Sequence, residues 1–245
     1  MTDGLLLVHA FPLDARMWEP QLSAFSDALP LSAPHLPGFG GSEPAVEVMT
    51  MRAAAERCVK ELDRAGIDRA VVCGLSMGGY VGLELWRRSR ERVLGLALAN
   101  TRAIPDTAEG SAARRGLAER LLAEGSAFFV EDPPPLLSAA APEDLRERVR
   151  ALIADQPPGA IAAASLGMAE RPDSTQDLTG IDVPTLVITS TGDTLIPPHV
   201  SSEMAERIPR AELAVIEGAG HLSNLEAPEE FNGLLEEHVE RCGLA

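Results

Sequence analysis

The stretch Val71-Val72-Cys73-Gly74-Leu75-Ser76-Met77-Gly78-Gly79-Tyr80-Val81-Gly82 sets a hydroxyl between glycines directly after a short β-favouring run. Val71–Cys73 reads as the end of a buried strand and Met77–Arg88 as a helix, so the serine falls on a strand-to-helix turn. A turn this sharp pushes the residue at its apex toward a strained backbone costing on the order of 1–3 kcal/mol. Side chains at positions 74 and 78 would collide with neighbouring backbone, which glycine avoids. An ordinary glycine-rich turn shows the same five-residue pattern by chance. The surrounding chain decides between the two.

Short apolar runs of strand length recur at Leu5–His9, Leu31–His35, Ala70–Gly74, Val93–Ala99, Thr185–Thr189 and Glu212–Ile216. Helical patterns lie between them at Trp18–Asp27, Met51–Ala65, Met77–Arg88, His199–Arg207 and Pro228–Arg241. Strands that are continuously Val, Leu and Ile, separated by helices, predict an α/β protein with a mainly parallel sheet of about six strands covered on both faces. The alternation breaks once. From 102 to 178 there is no strand signal, while Ala113–Glu124, Pro142–Ala154 and Gly159–Glu170 read as helices and Pro133-Pro134-Pro135 as an extended hinge. We expect a core of residues 1–101 and 179–245, with residues 102–178 as a helical cap inserted between the fourth and fifth strands.

The bulk numbers suit that plan. The 245 residues are 45% hydrophobic and 24% charged, the profile of one globular unit with an ample core. A net charge of −16 argues against nucleic acid and anionic membrane as partners. No apolar run approaches the roughly 18–20 residues needed to span a bilayer. The opening Met1-Thr2-Asp3-Gly4 lacks the basic start of a signal peptide, so a cytoplasmic location is expected. Cys58, Cys73 and Cys242 have neither metal-ligand nor disulfide spacing, and Cys73 fits a small core hydrophobe. No metal or cofactor is expected. Lys60 is the only lysine, so positive charge is almost wholly arginine. The oligomeric state is not written in the sequence.

A serine hydroxyl is a poor nucleophile without a base. In a Gly-x-Ser-x-Gly elbow the partners follow in the order serine, acid, histidine. In "TLVITSTGDTLIPP", Asp193 comes just past the run ending at Thr189, and in "LAVIEGAGHLSNLE", His221 lies four residues beyond Glu217. Alone, the first is a Gly-Asp turn and the second a loop histidine. Together they have the required order, and both fall at carboxyl ends of strands, where an open α/β sheet gathers its chemistry. The rival acids Asp14, Asp173 and Glu226 do not follow a strand in that order. His9 is expected to hydrogen-bond loop backbone, and His35, His199 and His238 to be structural. An oxyanion needs two backbone N–H donors. Met77, after the serine, is one. In "LVHAFPLD" the other is Phe11, because Pro12 has no N–H.

With these residues in hand, the chain resembles the α/β-hydrolase superfamily over its full length, and more narrowly the small bacterial carboxylesterase and 3-oxoadipate enol-lactonase-like group. The matching stretches are "LLLVHAFPLDARMW", "PHLPGFGGS", "GLSMGGYVGLEL", "ANTRAIPD", "AERPDST", "PTLVITSTGDTLIPP" and "GAGHLSNLEAPEEF". The resemblance implies an α/β-hydrolase fold, a Ser76–Asp193–His221 triad, an oxyanion hole of Phe11 and Met77, and cofactor-free hydrolysis of short-chain acyl esters through an acyl-enzyme. Met168, Phe128 and Phe129 would give the cap an apolar pocket of modest size. The alternative is an enol-lactonase-like lactone hydrolase, whose anionic substrate would want a cation such as Arg102 or Arg171. A non-catalytic, ligand-binding member of the fold is a third reading, since such proteins can keep the triad.

Three departures stand out. His9-Ala10 replaces the usual His-Gly ahead of the oxyanion residue, and Pro34-His35-Leu36 replaces Pro-Asp-Leu, losing a loop-organising carboxylate. The chain also starts almost directly on its first core strand, so the usual N-terminal hairpin is expected to be missing and Leu31–His35 to be an edge. Finally, Phe11-Pro12 resembles the oxyanion loop of serine perhydrolases, which implies peracid formation as a side activity.

Overall fold

Each strand of the sheet is followed by a chain that turns back over one face. The computed structural model describes residues 1–43 and 47–244. In chain order it runs β1 (Asp3–Val8), α1 (Glu19–Phe25), β2 (Leu31–Ser32), α2 (Met51–Arg64), β3 (Arg69–Leu75), α3 (Met77–Arg88) and β4 (Val93–Ala99). Helices α4 (Ala108–Glu124), α5 (Ala127–Glu131), α6 (Glu143–Ala154) and α7 (Pro158–Ala169) follow, then β5 (Thr185–Ser190), α8 (Pro198–Arg207), β6 (Ala211–Ile216), α9 (Ser223–Glu226) and α10 (Pro228–Arg241). The described sheet has six strands in the order β2-β1-β3-β4-β5-β6, and every pairing is parallel.

The central strands are buried on both faces. All of Leu5–Val8 and Ala70–Leu75 lie out of solvent, which is why they read as unbroken apolar runs. Each buried Val, Leu or Ile contributes about 1.5–3 kcal/mol relative to exposure. The edges differ. In β6 the side chains of Leu213 and Val215 remain exposed. At the other edge β2 pairs with β1 alone, as expected, but it is only two residues long rather than the expected Leu31–His35. The shortening has a cause. Pro34 offers no ladder donor, and beyond it the chain leaves the sheet so that Leu36 N–H reaches His9 Nε2 at 3.0 Å.

The helices follow from apolar spacing and caps. In α2 the buried residues Met51, Ala54, Ala55, Cys58 and Leu62 form one stripe, and the Thr50 side chain accepts from Ala53 N–H at the start. The residues Met77–Trp86 of α3 are buried all round, so this helix lies inside the molecule. Helices α4–α7 fill the stretch between β4 and β5, as the absent strand signal predicts. Three helices differ most from expectation. Thr107 caps α4 at Ala108, five residues before the expected Ala113, and α5 is a short helix that the sequence pattern does not mark. The helix expected from Trp18 is instead a 3-10 turn over Ala15–Trp18 followed by α1, which has a proline in its first turn.

Candidate active site

Strand order reverses at β1, because β2 lies on one side of it and β3 on the other. A parallel sheet opens a crevice at such a point, outside the carboxyl ends of the strands. Ser76 sits there, between β3 and α3. Its φ is 56°, a left-handed value that a non-glycine residue adopts only when its surroundings compel it. The surroundings are explicit. Ser76 N–H donates to Ala99 carbonyl at 2.9 Å, and Thr101 Oγ1 donates to Ser76 carbonyl at 2.7 Å. A Cβ on Gly74 would overlap the Gly78 carbonyl, and one on Gly78 would overlap the Val8 carbonyl. Glycine at these positions lets the turn close against β1.

Asp193 lies in the loop after β5 and His221 in the loop after β6. Asp193 Oδ2 and His221 Nδ1 are 2.8 Å apart, with both residues buried. Burial acts to raise the Asp193 pKa, but hydrogen bonds from His221, Ile196 N–H and Asn100 and the His221 charge outweigh it and hold it below the usual carboxylate range. An ionised carboxylate only accepts, so His221 Nδ1 carries the proton and donates. Asp193 is otherwise saturated, with Oδ1 accepting from Leu195 and Ile196 N–H at 2.9 Å each and Oδ2 from Asn100 Nδ2 at 3.0 Å.

Ser76 and His221 line one cavity of about 640 Å³. Among the described residues no hydrogen bond joins Ser76 Oγ to His221 Nε2, and that nitrogen has no protein partner. Such contacts are often loose until substrate is present. Phe11 lines the same cavity, and its peptide bond to Pro12 is cis. Met77 opens α3, its side chain fully buried. Among the described residues neither the Phe11 nor the Met77 backbone N–H donates to a protein acceptor.

The other expected residues separate cleanly. His9 bridges loops through its Nδ1 and the Ala10 carbonyl and through its Nε2 and Leu36 N–H, and burial pushes its pKa down to about 4. Where a carboxylate is usual, His35 Nδ1 accepts from Ala15 N–H at 3.3 Å. Asp14 is paired with Arg16 and Gln156. Glu226 accepts from Gly220 N–H at 2.8 Å and from Ser138 N–H at 3.0 Å, so it ties the His221 loop to the segment ahead of α6. Met168 and Phe129 line the cavity, joined by Pro133–Pro135; Phe128 instead lies under the Arg120 guanidinium.

Sequence reasoning missed Asn100. It sits at the end of β4 with φ 44°, accepts from Ser223 Oγ at 2.6 Å, and donates to Ser190 Oγ at 2.7 Å as well as to Asp193. Ser190 Oγ in turn donates to the Gly220 carbonyl at 2.6 Å, next to His221. The one available signal was an asparagine closing an apolar strand, a residue type that tolerates the left-handed region.

The chain can now be set beside known proteins. The model of the alpha/beta hydrolase family matches residues 5–234. The pimeloyl-[acyl-carrier protein] methyl ester esterase of Aromatoleum aromaticum is 31% identical over 96% of this chain and 97% of its own length. The 3-oxoadipate enol-lactonase 1 of Acinetobacter baylyi is 29% identical over 93% of this chain and 85% of its own. A thermophilic esterase from Thermogutta terrifontis, solved with malate bound, superposes with a TM-score of 0.94 and 39% identity, covering 99% of this chain and 90% of that one. A six-stranded parallel sheet, a serine at a strained strand-to-helix turn and a match along nearly the whole chain converge: the chain belongs to the alpha/beta hydrolase family.

Proposed function

We propose that the chain is a cofactor-free serine carboxylesterase acting on short-chain acyl esters. The observation that carries this reading is the 2.8 Å His221–Asp193 contact at the wall of the cavity that Ser76 also lines. Ser76 Oγ attacks the ester carbonyl while His221 Nε2 takes its proton and then delivers it to the leaving alcohol. Asp193 fixes the imidazole tautomer and stabilises the imidazolium. The N–H groups of Phe11 and Met77 receive the oxyanion, each donor contributing roughly 2.7–4 kcal/mol. Water then enters by the same route, with His221 as base, and releases the acid. Residues 1–101 and 179–245 form the catalytic core in this reading, and residues 102–178 the cap that walls the pocket.

A lactone hydrolase is the second reading, supported by the enol-lactonase relative and by the arginines near the cavity. Peracid formation is a side activity that the ratio of peracid to acid released in hydrogen peroxide would measure.

The deciding experiment is Ser76→Ala assayed on a panel of acyl esters and lactones, with circular dichroism to confirm the fold. Activity should fall by more than about a thousandfold in kcat. Residual activity above that level removes Ser76 as nucleophile. A stoichiometric burst of alcohol without turnover in the unaltered protein supports the non-catalytic, ligand-binding reading instead.

A further inference from the structure

In a chain with a net charge of −16, positive charge collects at one wall of the Ser76 cavity. Asp106, just ahead of α4, has its carboxylate buried there and meets three guanidinium groups. Arg171 Nη1 lies 2.9 Å from its Oδ2, Arg114 Nε contacts the same oxygen, and Arg102 Nη2 contacts Oδ1. Burial works to raise the Asp106 pKa, but Arg171 and Arg114 outweigh it and hold the carboxylate below its usual range. The cluster thus keeps a surplus of two positive charges. The other carboxylate among the cavity-lining residues, Asp132, is exposed beside Pro133.

The three arginines are not equivalent. Arg171 is nearly fully buried, lies over the Tyr80 ring at 4.3 Å, and donates to the Met168 and Ile104 carbonyls at 2.9 Å each. Its role is to hold the chain after α7 against Tyr80 and Asp106. Arg102 and Arg114 both line the cavity, and among the described residues Asp106 is their one acceptor. Each retains most of its five N–H donors, and Arg102 Nε is buried with no partner. A half-satisfied guanidinium in a partly desolvated recess favours an anion of planar, two-oxygen geometry, because the fork matches it with paired hydrogen bonds. Phe11, Leu117, Phe129 and Met168 give the same cavity an apolar stretch of wall that suits a methylene chain.

We propose that the substrate is anionic at the far end of its acyl group: a half-ester of a dicarboxylic acid, whose free carboxylate sits on Arg102 and Arg114 while its ester carbonyl meets Ser76. This rests on the esterase reading above and assigns the substrate class of that site.

The test compares monomethyl esters of succinic, glutaric and adipic acids with neutral methyl esters of matched chain length, in the unaltered protein and in Arg102→Gln and Arg114→Gln. At one chain length the anionic ester should be favoured by about tenfold or more in kcat/KM, and each arginine variant should cut that anionic-to-neutral ratio by about tenfold, mainly through KM. A free dicarboxylate of the favoured length should inhibit hydrolysis of the neutral ester competitively, a readout that needs no variant to fold. Equal or better use of neutral esters at every length, an unchanged ratio in the variants, or no inhibition by dicarboxylate at about 10 mM overturns the anion site. Failure to cleave any ester or lactone overturns the esterase reading itself, so the two failures are separable.

Discussion

Asn100 Nδ2 lies 3.0 Å from Asp193 Oδ2, the same oxygen that meets His221 Nδ1 at 2.8 Å. One amide at the end of β4 therefore holds the Asp193 carboxylate from one side while His221 meets it from the other. Replacing Asn100 by Ala strands the Ser223, Ser190 and Asp193 groups that it pairs. It also leaves a methyl-bearing residue at φ 44°. We expect a stability loss of roughly 2–4 kcal/mol by urea unfolding and a kcat reduced about 10–100-fold. Asn100→Gly relieves the backbone but not the hydrogen bonds, so it should recover stability only in part and kcat not at all. Near-normal kcat in both variants would show that the amide does not orient Asp193.

Two neighbouring glycines of α3 should respond oppositely to the same substitution. A Cβ on Gly78 meets the Val8 carbonyl, a backbone atom of a central strand that cannot step aside. Gly78→Ala should cost more than about 3 kcal/mol or prevent folding. At Gly82 the added carbon lies at ordinary contact distance, 3.6 Å from Val72 Cγ1 and 3.8 Å from Leu98 Cδ2. Gly82→Ala should stabilise by about 0.5–1 kcal/mol, because alanine restricts the unfolded chain and favours helix. Thermal melts of the pair decide it, and a destabilised Gly82→Ala would contradict this packing.

Stability should decline on mild acidification because of two buried histidines. Desolvation pushes both His9 and His238 down to about 4 from the ordinary 6.5. Between those values the unfolded chain binds protons that the folded chain refuses, so stability falls as pH falls. The contribution is complete above about 6.5 and lost as pH drops through about 4, and each histidine accounts for roughly 3 kcal/mol. The paired acids Asp193 and Asp106 are lowered and so act only in more acidic solution. Urea unfolding at pH 7, 6, 5 and 4.5 should show the decline, and His238→Gln should flatten it. An equal slope in that variant would exclude His238 as a source.

Chelation should leave turnover unchanged. Among the described residues no group of three or more His, Cys, Asp or Glu side chains is placed to share a metal ion. Dialysis against EDTA, followed by the ester assay, checks this, and activity that returns only on adding a metal would refute the serine mechanism.

Much of this is legible in the sequence, and for a local reason. The run into Ser76, the glycines around it and the acid and histidine past later strand ends are each written in a few consecutive residues, because a parallel sheet brings strand carboxyl ends together whatever lies between them. The length of β2 was less legible. Leu31–His35 has the hydropathy of a strand, yet whether it pairs depends on Pro34 and on where His9 Nε2 draws Leu36. Helix α5 was missed because five residues between Gly125 and the prolines carry too little periodicity to register.

By itself, then, the sequence determined the alternation of strand and helix, the helical insertion after β4, the turn at Ser76 and the chain order of Asp193 and His221, since each depends on spacing or backbone conformation within a short window. Only the tertiary structure decided which polar groups meet across long separations. Asn100 reaches Asp193 across 93 positions, and Arg171 reaches Asp106, which also holds Arg102 and Arg114. Such pairings leave no periodic trace, because a buried carboxylate or amide is satisfied by whichever donors the packed elements bring to it.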